Sequence, residues 1–389
     1  MQHFDLIIVG GGLAGASLAV ALRNTRLRIA LVESRAPQAP GADAWDARVY
    51  AVSPANVAFL DSIGAWQHMD LARVSPIKSM RIFGDAGGEL EFSAFQVGVP
   101  DLGCILESSL MACELWEGLK RQSNVQLFLP ARPQGLEFRH DAALLQLSTG
   151  ESLSAPLLIG ADGRDSWVRE AAGLTAVNRH YGEKGVVANF VVEKPHHGVA
   201  WQWFRDDGVL AWLPLPGNRI SIVWSTPDEN ADALCALAEA PFVQQVMEAG
   251  NALLGKMSLL TPPAAFPLRL MRVPEVVAPR LALVGDAGHG IHPLSGHGIN
   301  LGFQDAQVLA ERLQASNPWE DIGDLRFLQA YQRARREEVV LMQTGTDALR
   351  RLFAASAPGL RPLRNFGLGL TQRLPLVKNF LVRYALGAI

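Results

Sequence analysis

Three of the protein's nine histidines, His289, His292 and His297, fall within GDAGHGIHPLSGHGINLGFQDA, residues 285–306, among six glycines. A His-x-x-His pair with a third histidine close by could hold zinc, so a metal centre is the first chemistry to weigh. Zinc needs three or four side-chain ligands held rigidly, whereas this segment is rich in glycine, which brings backbone close to something flat. The pattern predicts a backbone cradle and no metal. From about Gly298, the apolar residues Ile299, Leu301, Ala306, Leu309 and Leu313 recur at mostly helical intervals. A helix beginning there turns its positive N-terminus back toward the loop. His289 and His292 then read as packed or capping residues, and His297, between Gly296 and Gly298, is the one placed to face a bound ring.

A second constellation lies at the start of the chain. Phe4 to Val9 is wholly apolar, as a parallel strand buried on both faces should be. It runs into Gly10-Gly11-Gly12-Leu13-Ala14-Gly15, which fits G-x-G-x-x-G with glycines at 10, 12 and 15. A helix with Ala16, Ala19, Val20 and Leu22 follows, then a strand from Leu27 to Val32 ending on Glu33. The glycines divide the work: Gly10 permits the tight turn, Gly12 the approach of backbone to a pyrophosphate, and Gly15 the packing of helix on strand. The helix N-terminus offers free N–H groups to the phosphates, and Glu33 suits both hydroxyls of an adenosine ribose. Strand, glycines, helix, strand and terminal acid together predict a dinucleotide site, without separating FAD from NAD.

Two more strand ends carry polar turns. Leu157 to Gly160 runs into Ala161-Asp162-Gly163-Arg164-Asp165-Ser166, and Arg280 to Val284 runs into Gly285-Asp286. An Asp at the carboxyl end of a parallel strand points into the crevice where such sheets bind ligands.

The three signatures, in this order, resemble the FAD-dependent aromatic hydroxylases, the single-component flavoprotein monooxygenases. The segment GDAGHGIHPLSGHGINLGFQD is similar to GDAAHxxHPxxGQGxNxGxxD of the ubiquinone-biosynthesis hydroxylases within that group. VPDLGCILESSLMACELWEGL and LPLVKNFLVRYALG are similar to further parts of those proteins, so the resemblance covers nearly the whole chain. His297 replaces the usual Gln, Gly288 and Gly290 replace the usual Ala and a common Thr, and Ser109 stands where many members carry Arg or Asn.

The resemblance implies an α/β protein: a Rossmann-like FAD-binding domain, a discontinuous antiparallel-sheet substrate domain and a helical C-terminal region. It gives the FAD domain residues 1–75, 100–178 and 270–325, the substrate domain 76–99 and 179–269, and the helical region 326–389. It assigns Gly10, Gly12, Gly15 and Glu33 to the ADP half of FAD, Arg48 to the FAD, and Asp162 and Gly163 to a site near pyrophosphate and nicotinamide. Asp286 goes to the ribityl chain, and Gly296, Gly298, Ile299 and Asn300 to the flavin. Pro293 is implied beside the flavin where oxygen reacts, and His297 is the candidate for polarising the oxidant or a substrate hydroxyl.

The implied reaction is hydroxylation of a polyprenyl phenol or benzoquinol ring. NADPH or NADH reduces the flavin, which captures O2 as a C4a-hydroperoxide. With no second GxGxxG, the nicotinamide must visit a transient surface site. Two alternatives are a prenyl-chain reductase, disfavoured by the HP-x-x-G-x-G-x-N match, and a non-catalytic flavoprotein subunit of a quinone-biosynthesis complex, disfavoured by the intact Asp162-Gly163 and Gly285-Asp286 pairs.

The bulk sequence agrees. At 389 residues the chain suggests about two or three domains. A net charge of −3 gives no broad attraction to nucleic acid. Cys104, Cys113 and Cys235 are far apart without CxxC spacing, which fits a reducing compartment. The apolar stretch Leu6–Leu22 has no basic segment before it and four glycines within it, so neither an export signal nor a membrane span is expected, and the protein is expected in the cytoplasm. KSMRIFGDAGGELEF reads as a hairpin, and GVAWQWFRDDGVLAWLPLPGNRISIVWS as three strands. Trp201, Trp203, Trp212 and Trp224 fall there, either as sheet core or as a wall for a planar, lipophilic substrate. After Asp347 the chain carries seven Arg or Lys residues and no acid. Such a tail either packs on the flavin domain with its arginines solvated or rests on an anionic membrane surface. A peripheral contact with the inner membrane, a quinone-biosynthesis complex and an oligomer are all left open.

Overall fold

A computed structural model describes residues 1–41, 44–291, 298–354 and 360–373. The apolar runs form a parallel sheet in the order Leu281–Leu283, Leu157–Gly160, Leu6–Val9, Ile29–Val32 and Val125–Phe128, with Val277–Ala278 antiparallel at one edge. Leu6, Ile8, Ile29, Leu157 and Ile159 are fully buried because both faces are covered. On one face lie the helices Leu13–Ala21, Ser108–Lys120 and Gly298–Gln314, which bring Leu18, Leu115, Trp116 and Phe303 into one core. On the other lies a small sheet of Pro133–Phe138, Ala143–Leu147 and Ser152–Ala155, edged by Gln2–His3, which buries Leu145, Leu147 and Leu153.

The antiparallel sheet is built on Val177–Val192, sixteen residues long, flanked by Ala264–Arg272 and Arg219–Pro227. Gly208–Leu215 and Val199–Arg205 follow, and the sheet ends in the hairpin Ser79–Phe83 and Glu89–Ser93. That hairpin and the three consecutive strands lie where turn chemistry predicts them. His289–Gly290 pairs with Met271 and Arg272 at the opposite edge, which fastens the glycine-rich loop to this sheet.

Trp201 lies directly across from Trp212, and Trp203 and Trp224 each lie across from Leu210. All four therefore share one face, beneath the helices Asp228–Ala236 and Glu239–Ala249, where they pack with Leu234, Phe242 and Val246. The core alternative holds for them, and Trp201 alone among the four also borders the cavity described below. The opposite face carries small residues.

The C-terminal region packs through its cations. Leu325–Ala354, thirty residues long, lies along both sheets: Tyr331 Oη donates to Leu283 O at 2.9 Å, Gln343 Nε2 donates to Met271 O at 2.8 Å, and Arg350 pairs with Glu183. Leu360–Arg373 packs on the hairpin, where buried Arg364 pairs with Asp85 and Asn365 Oδ1 accepts from Ala86 and Gly88. In the described part of this region, then, the contact is with the antiparallel sheet as well as the parallel one; Arg335 and Arg364 are buried and Arg350 is partly buried, while Arg351 is exposed. Residues 374–389, which complete the tail, lie outside the described residues. Among the described residues no helix is long and apolar enough to cross a membrane.

Candidate functional site

The three signatures meet at one place, and several of their glycines have no room for side chains. A Cβ on Gly10, whose φ is +107°, would press on Ala161 O and stand 2.7 Å from Asp162 N. One on Gly15 would strike Gly10 O and stand 2.9 Å from Ala161 Cβ. A Cβ on Gly285 would stand 3.0 Å from Ala14 Cβ, and one on Gly302 would stand 3.5 Å from the same atom. Gly12 and Gly163 are different: a Cβ on either meets nothing within 4 Å. Gly10 and Gly15 are thus required by packing, while Gly12, the N-cap of Leu13–Ala21, faces open space.

That space is a cavity of about 690 Å³, within the ~300–1,000 Å³ range of small-molecule sites. One end is bordered by Gly12, Gly163, Arg164 and Asp286, and the other by Ala200, Gln202, Ala211 and Val223 of the antiparallel sheet. Gly298 and Ile299, at the N-terminus of Gly298–Gln314, border it too, as do Arg48 and Tyr50. The Arg48 guanidinium lies 5.0 Å from the centre of the Phe266 ring. Burial raises the Tyr50 phenol, although Arg48 opposes this. Asp286 faces Arg164 at 3.6 Å.

Other predicted residues support the cavity from behind. Glu33 accepts from Gly11 N at 2.7 Å and from Ser34 N at 2.7 Å, fixing the glycine loop against the strand end. Asp162 accepts from Val168 N at 3.0 Å and from Ser166 Oγ at 2.5 Å, so its carboxylate caps the short helix Trp167–Ala171. The Asn300 side chain is engaged within the protein. Its Oδ1 accepts from Ser53 N and Asn56 Nδ2, both at 2.9 Å, and its Nδ2 donates to Ala51 O at 2.8 Å. The amide is used to brace one helix against its neighbours. Pro293, Gly296 and His297, like His292, lie outside the described residues.

Sequence reasoning missed the groups that hold the loops. Asp305, buried, accepts from Gly285 N at 2.9 Å, His289 Nε2 at 2.6 Å and Arg335 Nε at 2.7 Å. Burial pulls His289 down, but Asp305 outweighs it and holds the imidazole above its ordinary value. Burial likewise pushes Asp305 up, yet His289 and Arg335 keep its carboxyl below the ordinary range. Arg169 ties the other two loops, donating to Ala287 O at 2.9 Å and Arg164 O at 3.1 Å. Asp305 closes the GxNxGxxD run, which is a signal; Arg335, inside RARREE, carries none.

Residues 3–344 match the family described as FAD binding domain. The chain belongs to that family. Among curated proteins, it is similar to ubiquinone hydroxylase UbiL of Rhodospirillum rubrum, 35% identical across 99% of this chain and 90% of that one. It is also similar to 3-demethoxyubiquinol 3-hydroxylase of Escherichia coli, 32% identical across 99% of each chain. Among solved structures, p-nitrophenol 4-monooxygenase PnpA of Pseudomonas putida shares the fold with a TM-score of 0.80, at 20% identity across 99% of each chain. PqsL of Pseudomonas aeruginosa, described as a probable FAD-dependent monooxygenase, gives 0.77 at 22% identity, across 94% of this chain and all of that one.

FAD fits what this member of the FAD-binding family presents. The open cradle at Gly12 lies at a helix N-terminus that can face a pyrophosphate, and Glu33 stands at the adjoining strand end. A second helix N-terminus, at Gly298 and Ile299, borders the same cavity and suits the anionic edge of a reduced flavin.

Proposed function

We propose that this protein is an FAD-dependent monooxygenase. It hydroxylates the aromatic ring of a lipophilic phenol or benzoquinol, a polyprenylated intermediate of ubiquinone biosynthesis, using NADPH or NADH and O2. The observation that carries this is the cavity itself, which joins the dinucleotide signatures to a small-residue sheet face with no break between them. Bound FAD supplies the redox chemistry, passing reducing equivalents to O2 and one oxygen atom to the ring.

The chain's own residues bind, orient and keep water out. Gly12 and the first N–H groups of Leu13–Ala21 hold the pyrophosphate, Glu33 the adenosine ribose, and Asp286 a ribityl hydroxyl. Arg48 stands over Phe266 on the rim, where it can pair with an anionic part of the cofactor. Gly298 and Ile299 present backbone N–H groups to the flavin. Ala200, Ala211, Val223 and Leu213 leave room for a planar ring and exclude water from it, which protects a reactive oxidant from unproductive decay. Ile77, Met80, Phe92 and Leu102 extend the apolar lining toward the hairpin, a surface suited to a prenyl chain. The residue ranges given above for the FAD, substrate and C-terminal parts belong to this same proposal.

Turnover of a short-chain prenyl phenol under isotopically heavy O2 tests the function. The expected product carries one added, labelled oxygen on the ring, with NAD(P)H consumption stimulated by the phenol. A product reduced in its prenyl chain, with no oxygen gained, would overturn the proposal in favour of a reductase.

A further inference from the structure

The cavity-facing side of the antiparallel sheet is apolar and small, with Ala200, Ala211, Val187 and Val223 in neighbouring positions. Gln202 interrupts it. It lies on Val199–Arg205 directly across from Ala211, it is only 6% exposed, and it borders the cavity. Among the described residues, nothing hydrogen-bonds its carboxamide. Asn189 and Gln343, also buried, each use the amide nitrogen: Asn189 Nδ2 donates to Asp46 O at 2.9 Å and Gln343 Nε2 to Met271 O at 2.8 Å, although Asn189 Oδ1 has no partner. On the cavity wall, Ser53 Oγ accepts from Asn56 Nδ2 at 2.9 Å and Asp286 faces Arg164, while Ser225 is a second polar residue on the sheet side.

The Gln202 carboxamide opens on the cavity, where water can hydrogen-bond it, and a carboxamide that loses its water without gaining another partner is destabilised. An aromatic ring entering the cavity displaces that water and must replace its hydrogen bonds or lose affinity. A phenol hydroxyl meets the requirement, because it donates to the amide oxygen or accepts from the amide nitrogen.

We propose that the Gln202 carboxamide hydrogen-bonds an oxygen substituent on the substrate ring, and so fixes which edge of the ring is presented for hydroxylation. This rests on the monooxygenase function proposed above. It adds a substrate-binding residue on the sheet side of the cavity, away from the groups assigned to FAD.

The test compares two ligands on the oxidised holoprotein: a short-chain prenyl phenol and the matching prenyl benzene without the hydroxyl. Binding is followed by the change in flavin absorbance. The wild-type protein should prefer the phenol. Gln202→Met, close in volume but apolar, should bind the phenol about tenfold more weakly and the benzene within about twofold of wild type. Gln202→Glu, which keeps an oxygen and a donor when protonated, should retain part of the preference. Flavin content and melting temperature equal to wild type show that each variant is folded. Equal losses for both ligands in Gln202→Met, or no loss for either, would overturn the assignment. If wild type binds neither ligand, the functional proposal fails with it, whereas a wild-type preference left intact in Gln202→Met removes only the role of Gln202.

Discussion

Asp305→Ala should cost roughly 3 kcal/mol of stability, because it removes one of the two carboxylates that hold the buried Arg335 guanidinium and leaves it only the partly buried Glu338 as counter-charge. Arg335 is only 5% exposed, and its Nε donates to Asp305 Oδ1 at 2.7 Å. The same change frees the N–H of Gly285, so the loop that carries Asp286 loses its anchor and FAD retention should fall. Removing both charges together, in Asp305→Ala with Arg335→Met, should cost less than Asp305→Ala alone. Urea unfolding of the three proteins measures this, and a double variant less stable than the single one would contradict it.

The pH dependence of that loss follows from the two titrating partners. His289 is held above its ordinary value by Asp305 and, more weakly, by Asp286, against the opposing effects of burial and Arg335. Its contribution to stability is complete below about pH 6.5, and is lost as pH rises through its raised folded value. Asp305 is held down by His289 and Arg335 against burial. Its contribution is present above about pH 4 and is lost as pH falls through its lowered folded value. The stability gap between wild type and Asp305→Ala should therefore be widest between those two ordinary values and narrower on either side. On the alkaline side part of the gap persists, since Arg335 stays charged.

Gly15→Ala and Gly12→Ala should separate folding from cofactor binding. A methyl on Gly15 strikes Gly10 O, a backbone atom that cannot swing aside, so Gly15→Ala should destabilise even the FAD-free protein by about 3 kcal/mol or more. A methyl on Gly12 meets nothing within 4 Å, so Gly12→Ala should leave the FAD-free protein within about 0.5 kcal/mol of wild type. It fills the space proposed for the pyrophosphate, however, and FAD should bind about tenfold more weakly or worse, equivalent to ~1.4 kcal/mol. Thermal unfolding without FAD and a flavin titration read the two effects independently. Gly12→Ala that binds FAD as wild type does would remove the pyrophosphate assignment.

What can be read from the sequence follows from where the chemistry is local. Leu6–Val9 and Leu157–Gly160 are unbroken apolar runs ending in glycine, so strand and crevice are both encoded within about ten residues. The hairpin around Asp85-Ala86-Gly87-Gly88 carries its own turn signal. The sheet of 133–155 has no comparable signal, because its alternation in ALLQL resembles that of any half-buried surface strand.

For the tryptophans, period-two alternation places Trp201 and Trp203 on one face but does not choose the face. Both sides of this sheet are covered, one by the cavity and one by helices, so polarity does not distinguish them. The bond between Asp305 and Arg335 joins residues thirty positions apart, and a charged run such as RARREE looks solvated until tertiary packing buries one of its members. Asn300 lies in a segment that resembles a flavin-binding motif, yet Ser53, Asn56 and Ala51 occupy its side chain, and only the fold brings those residues to it.

The central claim is that nicotinamide reduction of a bound flavin serves oxygenation of a phenol lodged in the same cavity. Anaerobic reduction of the purified holoprotein by NADPH, and then by NADH, with and without a short-chain prenyl phenol, tests it most directly. Flavin bleaching greatly accelerated by the phenol is the predicted result. Flavin that neither nicotinamide reduces, with or without the phenol, would contradict the account and leave a flavoprotein without turnover of its own.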